Sequence, residues 1–319
     1  MYLISLLIIY LILSNNCPAK SSNILSEPDP NHPKEKFYSP IPENVSGINQ
    51  FDEKGNTPLM NAIISGHYEA AKNLVKGGAN PNITTNNNET ALILAAERGL
   101  YHCVRVLLES FADVHQKSAT GKNAILAAVI VGHADIVEIL LKYNSDPNQI
   151  LHGSQSLLMV ASSYSKNPYV VKYLIRAGAE INYRDANMST PLMFACTSGS
   201  LEIVKILAEN TADIDAQNEL GFTALMFATS RSHIEIVKYL ISIGSDMNVK
   251  DIYGRSALGI AMEFEFEYRE IIDLLYESGV DTEHYNINPS TELINKRNEA
   301  LIRMSNTSLS ANINFLGNI

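Results

Sequence analysis

Residues 190–207 read TPLMFACTSGSLEIVKIL and residues 223–240 read TALMFATSRSHIEIVKYL, one phrase stated twice at an offset of 33 residues. A constant offset is what a solenoid requires, because each structural unit must present the same apolar face to its neighbours. Followed in both directions, the offset yields seven anchors: Thr57, Thr90, Asn123, Ser156, Thr190, Thr223 and Ser256. They open the phrases TPLMNA, TALILA, NAILAA, SLLMVA, TPLMFA, TALMFA and SALGIA. The chain is a tandem array.

Each unit has the marks of two short helices. A hydroxyl or amide at the anchor can accept from the orphan N–H groups of a helix start, and Pro58 and Pro191 follow at the first helical position, where a missing donor costs nothing. The inner helix carries Ala62, Ala95, Ala128, Ala161, Ala195, Ala228 and Ala261, small residues where helices of adjacent units must approach closely. A second helix places branched aliphatics at helical spacing, as in Ile203, Val204 and Leu207, then Ile236, Val237 and Leu240. One pair cannot bury that surface alone; a stack can.

The units close on segments such as Gly78-Ala-Asn-Pro-Asn82, Ala179-Glu-Ile-Asn182 and Gly244-Ser-Asp-Met-Asn248. The turn after each outer helix favours a left-handed residue, which Gly78, Gly178, Gly244 and Gly279 supply. Phe111, Asn144 and Thr211 hold that slot elsewhere, and a β-branched Thr should be strained there or force another turn. One extra residue near Lys166-Asn-Pro168 and two within residues 262–268 predict local bulges between helices.

With turn, T-P-L-x-x-A helix, G-H, second helix and a G-A-D-x-N-like close in register, the chain resembles the ankyrin repeat family over residues 48–283. The resemblance implies an all-α repeat solenoid of about seven units, near 53–82, 86–115, 119–148, 152–182, 186–215, 219–248 and 252–283. It also brings multi-repeat proteins of intracellular bacteria to mind as relatives. It implies a protein partner, bound where hairpin tips and exposed inner-helix positions form a concave surface.

The flanks differ in character. Residues 2–13 form an apolar run too short to span a bilayer, which needs about 20 residues, and suited to a secretory signal ending near Cys17-Pro-Ala19. No Lys or Arg precedes it, so an uncleaved membrane anchor is the alternative. Residues 20–47, with Pro28, Pro30, Pro33, Pro40 and Pro42, read as an extended linker, and 284–319 as an Asn/Ser-rich tail with a capping helix as one option.

The 319 residues are 46% hydrophobic with a net charge of −10, which supports a continuous core and argues against nucleic-acid binding. Cys103 and Cys196 lie too far apart in a solenoid to pair, so the fold should tolerate a reducing compartment. A disulfide-free exported chain would suit delivery by a bacterium into a host cell. No nucleotide, hydrolase or metal-ligand spacing is present; His67, His133 and His233 recur in the G-H slot and read as structural. We therefore expect a monomer without cofactor, metal or catalytic residues.

The expected partner-binding residues are Phe51 with Lys54, Arg98 beside Glu97, Ile130 beside Val131, Leu151 beside His152, Arg184, Met188, Phe222, Arg231, Ile252, Tyr253 and Arg255. Aromatic, Met and Arg side chains are enriched among interface anchors, and the last three units hold most of these. The chain thus reads as a protein-binding module, or alternatively as a scaffold tethered to a membrane by its first residues.

Overall fold

The computed structural model describes residues 47–151, 154–263 and 268–283. The apolar segment 1–19, all but the last residue of the linker, the tail from 284, His152 and residues 264–267 lie outside them. Among the described residues, 14 helices pair into seven units and no extended strand forms. The units are α1 (Pro58–Ile64) with α2 (Tyr68–Lys76), α3 (Ala91–Glu97) with α4 (Tyr101–Glu109), and α5 (Ala124–Val131) with α6 (Ala134–Lys142). Then come α7 (Leu157–Tyr164) with α8 (Pro168–Arg176), α9 (Pro191–Ser198) with α10 (Leu201–Glu209), α11 (Ala224–Ser230) with α12 (Ile234–Ser242), and α13 (Ala257–Met262) with α14 (Arg269–Glu277). Inner helix stacks on inner helix and outer on outer along the array.

All seven anchors cap an inner helix. Thr57, Thr90, Asn123, Ser156, Thr190, Thr223 and Ser256 each accept the N–H three residues on, at 3.1–3.5 Å, from extended backbone. Each cap is buried, so an anchor without an acceptor would leave a buried donor unpaired. In two units a thioether completes the box: Met159 Sδ accepts from Ser156 N and Met193 Sδ from Thr190 N, both at 3.4 Å.

The core is one continuous apolar cluster running through all the units. It includes the inner-helix alanines and the outer-helix sets Ile203, Val204, Leu207 and Ile236, Val237, Leu240, all buried. Cys103 and Cys196 are free thiols within it.

The G-H slot packs one unit onto the next. A Cβ on Gly199 would stand 2.7 Å from the His233 ring, and one on Gly99 2.6 Å from His133. The His233 ring nitrogen Nε2 lies 3.3 Å from the Thr197 carbonyl of the preceding unit, in keeping with a structural role for this slot.

The turn after each outer helix is left-handed in every unit. Phe111, Asn144 and Thr211 hold φ of 62°, 66° and 67° beside the glycines at 90–93°. Thr211 thus accepts the strain rather than choosing another turn. The extra residue of the fourth unit also forms its bulge: Ser165 is extended, Asn167 caps α8 through Tyr169 N at 3.1 Å, and Asn167 Nδ2 reaches back to Gly132 O at 3.1 Å.

Candidate partner-binding surface

Hairpins position the candidate residues, and one buried acceptor shapes most of them. Asp185 Oδ1 accepts from Asn187 N and Ser189 N, Asn218 Oδ1 from Leu220 N and Phe222 N, and Asp251 Oδ1 from Tyr253 N and Arg255 N, all at 2.8–3.0 Å. This folds each tip back so that the residues between project outward. Tips then join across units, with Glu219 N donating to Asn187 O at 2.9 Å and Ile252 N to Leu220 O at 3.1 Å.

The last two units build a cluster on this frame. The Arg255 guanidinium lies 5.0 Å from the Tyr253 ring centroid and 5.8 Å from that of Phe222, which tilts against Phe227 at 5.4 Å. Arg255 also bonds Asp251 Oδ2 through Nε at 2.8 Å and Glu263 Oε1 through Nη1 at 2.7 Å. Those bonds, Glu263 first, raise its pKa above the ordinary value. Each of its three nitrogens is engaged by a carboxylate, so the group acts as a fixed planar wall beside the two rings. Beside it Tyr253 is 69% exposed, Ile252 59%, Met188 42% and Leu220 41%, a contiguous apolar set on joined tips.

Other expected residues are distributed differently. Phe51 and Lys54 are exposed on the first hairpin, and Arg98 and Arg231 are exposed at the ends of α3 and α11. Ile130 is half-buried and Val131 exposed at the end of α5. Arg184 is engaged with the array, its Nη1 donating to Gln217 O at 3.3 Å and its Nη2 3.8 Å from Asp213. Glu97 is held by Lys122 at 2.9 Å. Leu151 occupies the slot of the buried turn acceptor, its side chain cannot accept a hydrogen bond, and it packs against the core. The sequence reading passed over Phe194 and Phe227, both half-buried on inner helices. Their signal was the residue after the TPLM and TALM phrases.

No three His, Cys, Asp or Glu side chains among the described residues are grouped to hold a metal ion. Burial pushes the thiols of Cys103 and Cys196 up, so both are held protonated and unreactive.

Comparison with known proteins follows the same register. A family model described as "Ankyrin repeats (3 copies)" matches residues 70–151, 158–251 and 212–286, and an "Ankyrin repeat" model matches 54–83. The chain is 30% identical over 166 residues to "Transient receptor potential cation channel subfamily A member 1" of Homo sapiens, covering 49% of this chain and 15% of that protein. It is 30% identical over 146 residues to "Inversin" of Canis lupus familiaris, covering 45% and 13%. A putative ankyrin repeat protein of Acanthamoeba polyphaga mimivirus is 26% identical over 159 residues, covering 50% and 21%. The chain thus spans about a fifth or less of these relatives. They are animal or viral, and the expected likeness to bacterial proteins is not among them. Among solved structures, the human ASB11 ankyrin repeat domain superposes with a TM-score of 0.59 at 27% identity, covering 64% of this chain and 91% of that one. The ankyrin repeat domain of Bcl-3 gives 0.58 at 27%, covering 70% and 99%.

Proposed function

The chain belongs to the ankyrin repeat family and is a protein-interaction module, and we propose that it recognises its partner, without catalysis, through the hairpin tips and inner helices of the last three units. One observation supports this placement most: Phe222, Arg255 and Tyr253 form a pre-set aromatic wall beside exposed Met188, Leu220 and Ile252. Rigid aromatic groups lose little entropy on binding, which is why such groups dominate interface energetics.

The test uses a captured partner. Phe222→Ala with Tyr253→Ala should weaken binding by more than about 2 kcal/mol while the array stays folded. Glu138→Lys and Lys205→Glu, on outer helices, should change little. Loss of binding on the outer-helix changes alone would move the recognition surface to the other face.

Residues 1–19 act as a cleaved export signal in this reading, on the strength of the short apolar run and Cys17-Pro-Ala19. The free buried thiols suit a chain that ends its path in a reducing compartment such as a host cytosol. Mass spectrometry of protein from its native cell should find a new terminus at or near Lys20. Intact Met1 in a membrane pellet would favour the tethered scaffold instead.

A further inference from the structure

A second surface lies at the turns that follow the outer helices, away from the hairpins. Between the second and third units a groove of about 640 Å³ is walled by Leu108, Phe111, Val114 and Tyr143, and its charged lining residues, Glu109 and Asp113, are both carboxylates. Phe111 is 89% exposed and Tyr143 40%. Phe111 also sits at φ 62°, where glycine serves in four other units, so this site carries both an exposed aromatic ring and backbone strain.

The junction is open in a further respect. Elsewhere an Asn or Asp of the preceding unit accepts a backbone N–H of this turn: Asn82 from Asp113, Asn148 from Glu180, Asn182 from Asp213, Asp215 from Asp246 and Asn248 from Asp281, at 2.7–3.0 Å. His115 holds that position before the third unit, and the Asp146 N–H and Asn144 carbonyl have no hydrogen-bond partner among the described residues. A backbone donor and a backbone acceptor of this left-handed turn are therefore left unpaired among the described residues next to Tyr143.

The same bonds place Asp113, Glu180, Asp213, Asp246 and Asp281 in one slot of their units, Asp146 holds that slot in the third unit by sequence register, and all six are exposed. Carboxylates thus extend from the groove in one direction along the edge of the stack. Glu109 is paired with Arg105 at 3.0 Å and Asp213 loosely with Arg184 at 3.8 Å; among the described residues no ion pair engages the other members of the row.

We propose that this edge binds an extended, basic segment of another protein, with one apolar side chain seated between Phe111 and Tyr143 and arginines or lysines laid along the carboxylate row. Stacked helices are about 8–10 Å apart, and a polyproline II chain has about three residues per turn and advances about 3.1 Å per residue. Every third residue of the ligand therefore returns to the same side and meets the next unit's carboxylate. Arginine suits the row best, since its guanidinium can pair with a carboxylate through two donors. This surface is independent of the hairpin site.

Full-length protein and three labelled synthetic peptides, followed by fluorescence anisotropy, test the proposal. One peptide repeats Arg-Ser-Gly with Leu in place of the first Arg; the second gathers the same arginines into a block after that Leu; the third has Glu for every Arg. The first should bind about tenfold more tightly than the second, and the third should not bind, with affinity falling as salt rises. Phe111→Gly, which relieves the turn and leaves the fold intact, should lower affinity for the first peptide about tenfold. Asp113→Asn with Asp146→Asn should do the same at low salt, since Asn80 already fills this slot in the first unit and accepts the Asn82 N–H at 3.0 Å. Equal binding of the spaced and blocked peptides, no binding of either, or affinity that responds to Tyr253→Ala and not to Phe111→Gly would each overturn it.

Discussion

Asn182 holds Thr211 in a conformation that threonine avoids. The Asn182 Nδ2 donates to the Thr211 carbonyl at 3.1 Å while its Oδ1 accepts the Asp213 N–H at 2.8 Å, so one amide of the fourth unit brackets the left-handed turn of the fifth. The same bracket joins Asn82 to Phe111 and Asn148 to Gly178. A strained residue is therefore held from outside its own unit. Thr211→Gly should stabilise the array by up to about 1 kcal/mol, the relief of a left-handed β-branched residue less the entropy that glycine adds to the unfolded chain. Asn182→Ala should cost about 1–3 kcal/mol, and a double-mutant cycle in urea should show the two coupled. Strict additivity would mean the bracket does not bear the strain.

His115→Asn should restore the bracket missing between the second and third units. Two new hydrogen bonds, to Asp146 N–H and the Asn144 carbonyl, should add about 1 kcal/mol, read as a higher denaturation midpoint with an unchanged slope. Native-state hydrogen exchange should slow at Asp146, whose N–H has no partner among the described residues.

Two glycines at similar backbone angles should respond differently to alanine. Gly244, at φ 91°, has nothing within 4 Å of an added Cβ, so Gly244→Ala costs only the left-handed conformation, about 1 kcal/mol. Gly199, at φ 81°, carries the His233 ring 2.7 Å from that position, so Gly199→Ala must also displace a ring packed between units and should cost about 1–3 kcal/mol more. Equal midpoint shifts for the two variants would show that the ring yields freely.

The core gives a simpler expectation. Leu207 and Leu240 are fully buried on outer helices, and each change to alanine should cost about 2–5 kcal/mol in thermal or urea unfolding. A loss below 1 kcal/mol would show that the neighbouring units close the cavity.

Asp185 should give a pH-dependent signature. Burial raises its pKa above the ordinary carboxylate value, against the lowering effect of the Ser189 and Asn187 N–H bonds. A raised folded-state pKa means that the ionised form is penalised on folding, so this penalty is present above the folded pKa and vanishes as pH falls below the unfolded one. Asn218 performs the same turn with an amide. Asp185→Asn should therefore match or exceed the native protein in stability at neutral pH, with the difference shrinking as pH falls through the carboxylate range. A variant that loses stability equally at all pH values would show that the charge is needed by the hairpin.

The recurring phrase, its offset, the capping anchors, the inner alanines and the left-handed turn slot could all be read in the sequence, because each follows from a local rule that every unit must obey to stack. The anchors needed no tertiary information: a hydroxyl before a helix start has one economical use. Tertiary structure decided what the free side chains do, because their partners lie about 30 residues away in the next unit. Arg255 was legible as an exposed cation, yet only folding brings Phe222 from the preceding hairpin beneath it and closes Asp251 and Glu263 on its donors. Arg184 and Glu97 were spent on contacts between units for the same reason. The groove of Phe111 and Tyr143 was invisible in one dimension, since a departure in one unit becomes a surface only when the neighbouring departure is stacked against it.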